Sequence, residues 1–217
     1  MCYNDIAEMY TEIGKKADGE KYKVKAKEIA DKINKFMWNE EDGLYYDLDD
    51  EGNQVKCKTV ACFWPMLAGI ASKDQAEKMI NNLKDPKTFW RSTPFASLAA
   101  SDPNFQSDGK YWLGSVWAPT NVMIIKGINK YREILGSQEF AVTAVQKYLD
   151  AIYRTYKKTG TIWENYSSEL DMRGVWSRPD FVGWSGCGPI QLLIENILGF
   201  RPQGADSKLE WNINRVD

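Results

Sequence analysis

The 217-residue chain contains no histidine. That absence excludes Ser-His-Asp and Cys-His catalysis within the chain, and it excludes His-ligated zinc or non-haem iron. Acid–base work falls to Asp, Glu, Tyr, Lys or Cys. Cysteine is sparse as well, with Cys2, Cys57, Cys62 and Cys187 and no CxxC pair. The Cys57/Cys62 spacing permits a disulfide and is weak as a metal signal, so buried free thiols are the expectation, with no metal and no cofactor. No excess of positive charge exists: 28 Lys and Arg face 30 Asp and Glu, a net charge of -2. Without a basic patch or stripe, a nucleic-acid or membrane-surface role is not expected. No apolar run approaches ~18 residues, the length of a membrane-spanning helix. The first residues lack the charged and apolar regions of a signal peptide. The acidic stretch "WNEEDGLYYDLDDEGN" misses the spacing of a calcium loop and reads as solvated turns.

What is present is a foldable composition, 43% hydrophobic and 27% charged, and nine Trp. The length suffices for one domain with a sizeable core. Trp marks either a binding surface for flat ligands or an aromatic core, and composition alone leaves both open. Helical periodicity dominates. Ile6, Met9, Tyr10 and Ile13 form one apolar stripe, and Ala26, Ile29, Ala30, Ile33, Phe36 and Met37 form a second. "KKADGEK", with Gly19, reads as the turn between them. A small β-hairpin is expected around Leu44–Tyr46, between Asp42-Gly43 and Glu51-Gly52-Asn53. Further helices are expected over 64–71, 73–83, 119–135, 139–158 and 189–198, with a loop-rich segment over 85–110.

A weak repeat organises these helices. "FWPMLAGI", "VWAPTNVMIIKGI" and "GCGPIQLLIENI" each place Pro before an apolar run, at Pro65, Pro119 and Pro189. Proline suits a first helical turn because its missing N–H has no partner there. The helices opened this way are apolar on more than one face, whereas 21–37 and 139–158 carry a charged face. Buried inner helices alternating with solvated outer ones predict an all-α fold, an α/α toroid of helical hairpins with short β-hairpin insertions. The inner helices would start at one end of the ring. Trp64, Trp112, Trp117 and Trp184 lie in the loops that lead into them, so a concave aromatic mouth is expected. "GTIWENYSSE", residues 160–169, should lie there too and brings Glu164 between Trp163 and Tyr166.

The motifs "YWLGSVWAPTN", "WENYSSE" and "RPDFVGWSGCGPIQLLIENILGF", in this order, resemble the trehalase-like α/α-toroid glycoside hydrolases. Within them the chain is similar to the branch related to mannosyl-oligosaccharide glucosidase, glycoside hydrolase family 63. "MWNEEDGLYYDLD" and "STPFASLAASDPNF" share the likeness, which covers about residues 3–200. The resemblance implies an (α/α)6 barrel and hydrolysis of an α-glycosidic bond with inversion. Inversion needs a carboxylic acid on the leaving oxygen and a carboxylate on water, roughly 6.5–9.5 Å apart. Glu164 of "WENY" matches the family's general base. The family's general acid, an Asp in the first half of the barrel, has no match here.

The chain is thus expected to be the C-terminal portion of a partial (α/α)6 toroid, over 1–200. Residues 201–217 are expected to form a tail, whose "KLEWNINRVD" resembles the first strand of a following β-segment. Leu113 stands where relatives often carry Arg, which leaves the sugar open. The implied partner is an oligosaccharide or disaccharide substrate. Self-association is expected through the open barrel edge, where apolar inner helices would be exposed.

Beside Glu164 as base, an ordinary carboxylate paired with Arg173 or Arg178 is the plain alternative. Trp112, Trp117 and Trp184 are candidate sugar platforms, with Trp163, Tyr166 and Trp64 beside them, and core packing is the competing role. Asn121 could bond a hydroxyl or cap a helix. Phe95, Ser97 and Asp180 complete the candidate substrate-binding set. Asp102 and Asp108 sit in ordinary turn sequences. A carbohydrate-binding or inactive half-barrel module is the rival to a glycosidase.

Overall fold

The computed structural model describes residues 1–204 and 207–212. Among them are seven α-helices and three two-stranded antiparallel hairpins. Helices α1 (Cys2–Glu12) and α2 (Lys16–Phe36) form the first helical hairpin. The turn falls at Gly14, whose φ of +79° is left-handed, and not at Gly19. Gly19 is buried inside α2 instead, because a Cβ there would lie 2.8 Å from the Ala7 carbonyl oxygen. A glycine that reads as a chain reversal is the point of closest helix approach.

Two small hairpins follow where one was expected. β1 (Trp38–Asn39) pairs with β2 (Leu44–Tyr45), and β3 (Asp47–Leu48) pairs with β4 (Gln54–Val55). The second turn is tied by Asp49, whose carboxylate accepts the N–H groups of Glu51 and Asn53.

Helix α3 (Trp64–Ala68) carries Pro65 in its first turn and stops at left-handed Gly69. Helix α4 (Lys73–Lys84) begins with a Ser72–Gln75 capping box, in which each side chain meets the other's backbone N–H. Helix α5 (Ala118–Asn129) carries Pro119 in its first turn. It ends short of Leu135, because the next residues make turns closed by Ser137 on the Tyr131 carbonyl. Helix α6 (Ser137–Thr159) stops at left-handed Gly160, which opens the "GTIWENYSSE" loop.

Helix α7 (Trp184–Leu192) starts well before Pro189, the residue expected to open it. Pro189 is inside the helix, where it removes one i→i−4 bond, and α7 passes directly into a π-turn over Leu193–Ile197. Strands β5 (Phe200–Gln203) and β6 (Lys208–Trp211) then pair with each other. The "KLEW" strand therefore folds back on the chain that precedes it, and residues 213–217 lie outside the described residues.

The inner helices α3, α5 and α7 stand side by side, with glycines at their contacts. A Cβ at Gly127 of α5 would meet Met66 Cβ of α3 at 3.2 Å, and one at Gly188 of α7 would meet Ala118 Cβ of α5 at 3.0 Å. The core lies between these helices and the outer α4 and α6. It is built from Met66, Met79, Ile80, Leu83, Ile124, Ile128, Val145 and Tyr148, among others. The inner face of α5 is buried on more than one side, as its all-round apolar sequence requires. This is the toroid architecture of helical hairpins, in part. No helix among the described residues is long and apolar enough to cross a membrane.

Candidate functional site

Four loops meet at the ends of the inner helices and are joined through their backbones. Val60 N–H bonds Ser97 O, Ser97 N–H bonds Ser115 O, and Val116 and Tyr166 exchange both bonds at 2.8 and 3.0 Å. Gly174 N–H closes the array on Asn165 O. Single-residue bridges thus run from the 59–60 loop through 96–98 and 115–116 to 166 and 173. The "WENY" segment sits within this array and is not a free loop.

Glu164 is 7% exposed. Among the described residues, no ion pair or hydrogen bond engages its carboxylate. Neither expected arginine holds it: the Arg173 guanidinium lies over the Trp163 ring, 5.0 Å from its centroid. The Arg178 contribution is its carbonyl, which accepts Glu164 N–H at 2.9 Å. The Glu164 carbonyl accepts Trp184 Nε1 at 3.1 Å and Ser185 Oγ at 2.9 Å. Tyr166 is buried, and its phenol oxygen accepts Trp163 N–H at 3.1 Å. Burial pushes that phenol above its usual value, while the Trp163 N–H pulls the other way.

Trp112, Trp117 and Trp184 do come together. Trp112 stacks on Trp117 at 4.7 Å and 17°, and Trp117 meets Trp184 at 6.3 Å. Trp112 is 55% and Trp184 42% exposed, but Trp117 is 2% exposed and serves as the floor under Trp112. Tyr111 and Phe181, neither picked out by the sequence pattern, extend this group at 4.8 Å from Trp117 and 4.7 Å from Trp184. The sequence signal for both was adjacency to a Trp in the same loop.

The remaining candidates are placed differently. Trp64 has no ring pair with the Trp group among the described residues; it lines a cavity of about 190 Å³ between α2 and α3, with Ile33, Met37 and Ala68. Phe95 is fully buried and packs on Trp90 and Phe140, so it faces the core. Ser97 is buried too; its hydroxyl donates to Trp112 O and accepts Gly114 N–H, which shapes the Trp112 loop. Asn121 donates its buried amide to Phe95 O and Trp117 O, a bracing role at the start of α5. Trp163 is half-buried and donates to Thr159 Oγ1. Asp180 is exposed, adopts a φ of +52°, and takes the Thr161 hydroxyl at 2.6 Å, so its carboxylate ties a turn. Asp102 likewise accepts the Asn104 N–H, as its turn sequence implied.

All four cysteines are free, and only Cys62 is buried. No group of metal-ligating side chains exists among the described residues. What the arrangement offers is the Glu164 carboxylate, without an ion pair or hydrogen bond among the described residues, in a loop whose backbone carbonyl touches Trp184 of the aromatic group; Asp108 Oδ1 likewise has no partner there.

Residues 3–185 match the family profile of the mannosylglycerate hydrolase MGH1-like glycoside hydrolase domain. This chain belongs to that family. The glycoside hydrolase domain is 34% identical over 203 residues to an uncharacterized protein of Borreliella burgdorferi, covering 90% of this chain and 43% of that one. It is 26% identical over 199 residues to the mannosyl-oligosaccharide glucosidase of Saccharomyces cerevisiae, covering 84% and 23%.

Two solved structures share its fold. A family 63 mannosylglycerate hydrolase from Thermus thermophilus, in complex with glucose, superposes with a TM-score of 0.66, at 22% identity, over 88% of this chain and 44% of that one. Neutral trehalase from Saccharomyces cerevisiae gives a TM-score of 0.69 at 20% identity, over 88% and 35%. The chain therefore spans less than half the length of these relatives. The glycoside hydrolase family expected from three motifs is borne out by the matching profile, and the fold is shared with a family 63 hydrolase and a trehalase.

Proposed function

We propose that this glycoside hydrolase domain takes part in hydrolysing an α-glycosidic bond with inversion, Glu164 acting as the general base. A carboxylic acid from outside these 217 residues would protonate the leaving oxygen. The observation that carries the reading is Glu164: a largely buried residue whose carboxylate is unpaired among the described residues and whose backbone carbonyl is held by Trp184 and Ser185. A carboxylate already held in an ion pair is a weaker proton acceptor, because its partner stabilises the charged form. One left free can take a proton from water as that water attacks the sugar. Trp112 and Trp184 offer exposed ring faces to the apolar face of a sugar ring.

The test extends the chain to supply the acid and compares that protein with its Glu164→Gln variant on α-glucosides, α-mannosides and trehalose. Loss of at least 1,000-fold in turnover, about 4 kcal/mol of barrier, with little change in sugar binding, is the expected result. Equal turnover in the two proteins removes Glu164 from the role.

A second reading, sugar binding without turnover, is favoured by one feature: Trp112 and Trp184 form a platform that needs no carboxylate. It predicts that sugars quench Trp fluorescence with no product formed. Trp112→Ala would then weaken that binding by about 1 kcal/mol.

A further inference from the structure

We infer that Ser177 and Ser185 are positioning residues that aim the Glu164 carboxylate, and that Trp184 couples the aromatic platform to the same peptide. The inference rests on the reading of Glu164 as base and goes beyond it by naming what sets its geometry. The direction of the Cα–Cβ bond follows from the two peptide planes that flank the Cα, since φ and ψ are the only soft angles between them, and the allowed side-chain rotamers depend on that backbone. Both planes at Glu164 are anchored. The preceding one donates Glu164 N–H to Arg178 O at 2.9 Å. The following one is held at both ends: its carbonyl accepts Trp184 Nε1 and Ser185 Oγ, and its Asn165 N–H donates to Ser177 Oγ at 3.0 Å.

Ser177 does more than accept. Its hydroxyl donates its single proton back to Asn165 O at 2.9 Å, so the two residues close a reciprocal pair. Ser177 is 6% exposed, while Ser185 and Asn165 are fully buried, so water is a poor substitute for either hydroxyl. All the anchors lie between residues 177 and 185. The carboxylate has no partner of its own among the described residues, so these anchors set where its side chain starts, and rotamer preference and packing set the rest. A general base must be held in the productive direction before substrate arrives.

Trp184 joins two tasks. Its ring is partly exposed beside Trp117, and its indole N–H holds the Glu164 carbonyl. A sugar stacked on that ring bears on the peptide that carries the base.

The test uses the 217-residue chain with Ser177→Ala, Ser185→Ala and Ser177→Thr, and Ser167→Ala as control. Ser167 is buried in the same loop and bonds Ser107 O, but it touches neither peptide of Glu164. Solvent exchange of the Trp184 indole N–H is followed by ¹⁵N NMR and assigned by its loss in Trp184→Phe. At least tenfold faster exchange is expected in Ser177→Ala and Ser185→Ala, with Ser177→Thr within about twofold of wild type and Ser167→Ala unchanged. In a length-extended protein that supplies the acid, turnover should fall tenfold or more at nearly constant KM, and Ser177→Ala should cost less than twofold when added to Glu164→Gln. Unchanged indole exchange in both alanine variants, or equal acceleration by Ser167→Ala, overturns the inference. Wild-type turnover that survives Glu164→Gln overturns the reading of the base instead, and the exchange result still decides whether these hydroxyls hold the peptide.

Discussion

Around Glu164, loops from four parts of the chain are stitched by backbone bonds, and Ser115, Asn165, Ser167 and Ser185 are fully buried there. In the α1–α2 hairpin only Ala7 and Gly19 are buried, and Met9 and Ile13 each stand 66% exposed. The hairpin satisfies its backbone within its own helices. It is fastened to the rest mainly through Asn34, which donates to Ile70 O and accepts the Tyr45 hydroxyl, and through Ile33 and Met37 against the core. A shift of the hairpin keeps its helical backbone bonds and gives up a few side-chain bonds such as those of Asn34, whereas a shift at the mouth breaks backbone bonds in several loops at once. Rigidity is concentrated around Glu164.

The largest effect that would sharpen this contrast is Gly174→Ala. A Cβ there would come within 2.1 Å of Asn165 Oδ1 and 2.7 Å of Gly109 O, with Ser115 Oγ at 2.9 Å. The Gly109 carbonyl is backbone, and the Asn165 and Ser115 side chains are fully buried beside it, so a loss of about 3 kcal/mol is expected in the urea midpoint. Gly19→Ala makes a comparable backbone clash at 2.8 Å, but α1 can swing away and the helix gains from alanine. About 1 kcal/mol is expected there, and a cost equal to that of Gly174→Ala would break the comparison. Met9→Ser on exposed α1 should stay within about 0.5 kcal/mol.

The thiols give a smaller and separate check. Burial pushes the Cys62 thiol up to about 11. A thiol held neutral in the fold loses nothing below the ordinary value of about 8.5. Above it the unfolded chain deprotonates first, so this contribution to stability declines as pH rises towards about 11. Disulfide reagents should modify exposed Cys2 and Cys187 at least tenfold faster than Cys62 at about pH 8.

Helix existence and the inner–outer alternation were legible because apolar periodicity and prolines in first turns have direct physical causes. Pro65 and Pro119 do sit in first turns. Pro189 misled because a proline tolerated inside a helix looks the same in sequence as one that opens it. Gly19 misled for a related reason: the missing Cβ serves close packing as readily as a turn. The grouping of Trp112, Trp117 and Trp184 followed from their place before inner helices, whereas Trp64, in the corresponding place, lines a cavity beside α2. Phe95 was legible only as an aromatic in a loop; its burial depends on Trp90 and on Phe140, which is distant in sequence. Ser177 and Ser185 left no signal, because a serine that bonds a backbone carbonyl carries no mark of which carbonyl it will meet.

The central claim is that Glu164 activates water on the face opposite the leaving group. Proton NMR of the first product formed from an α-glycoside, recorded before mutarotation, tests it most directly. The account predicts the β-anomer first, and no β-anomer above background with Glu164→Gln. Initial release of the α-anomer, or β-anomer formed at the wild-type rate by Glu164→Gln, would contradict it.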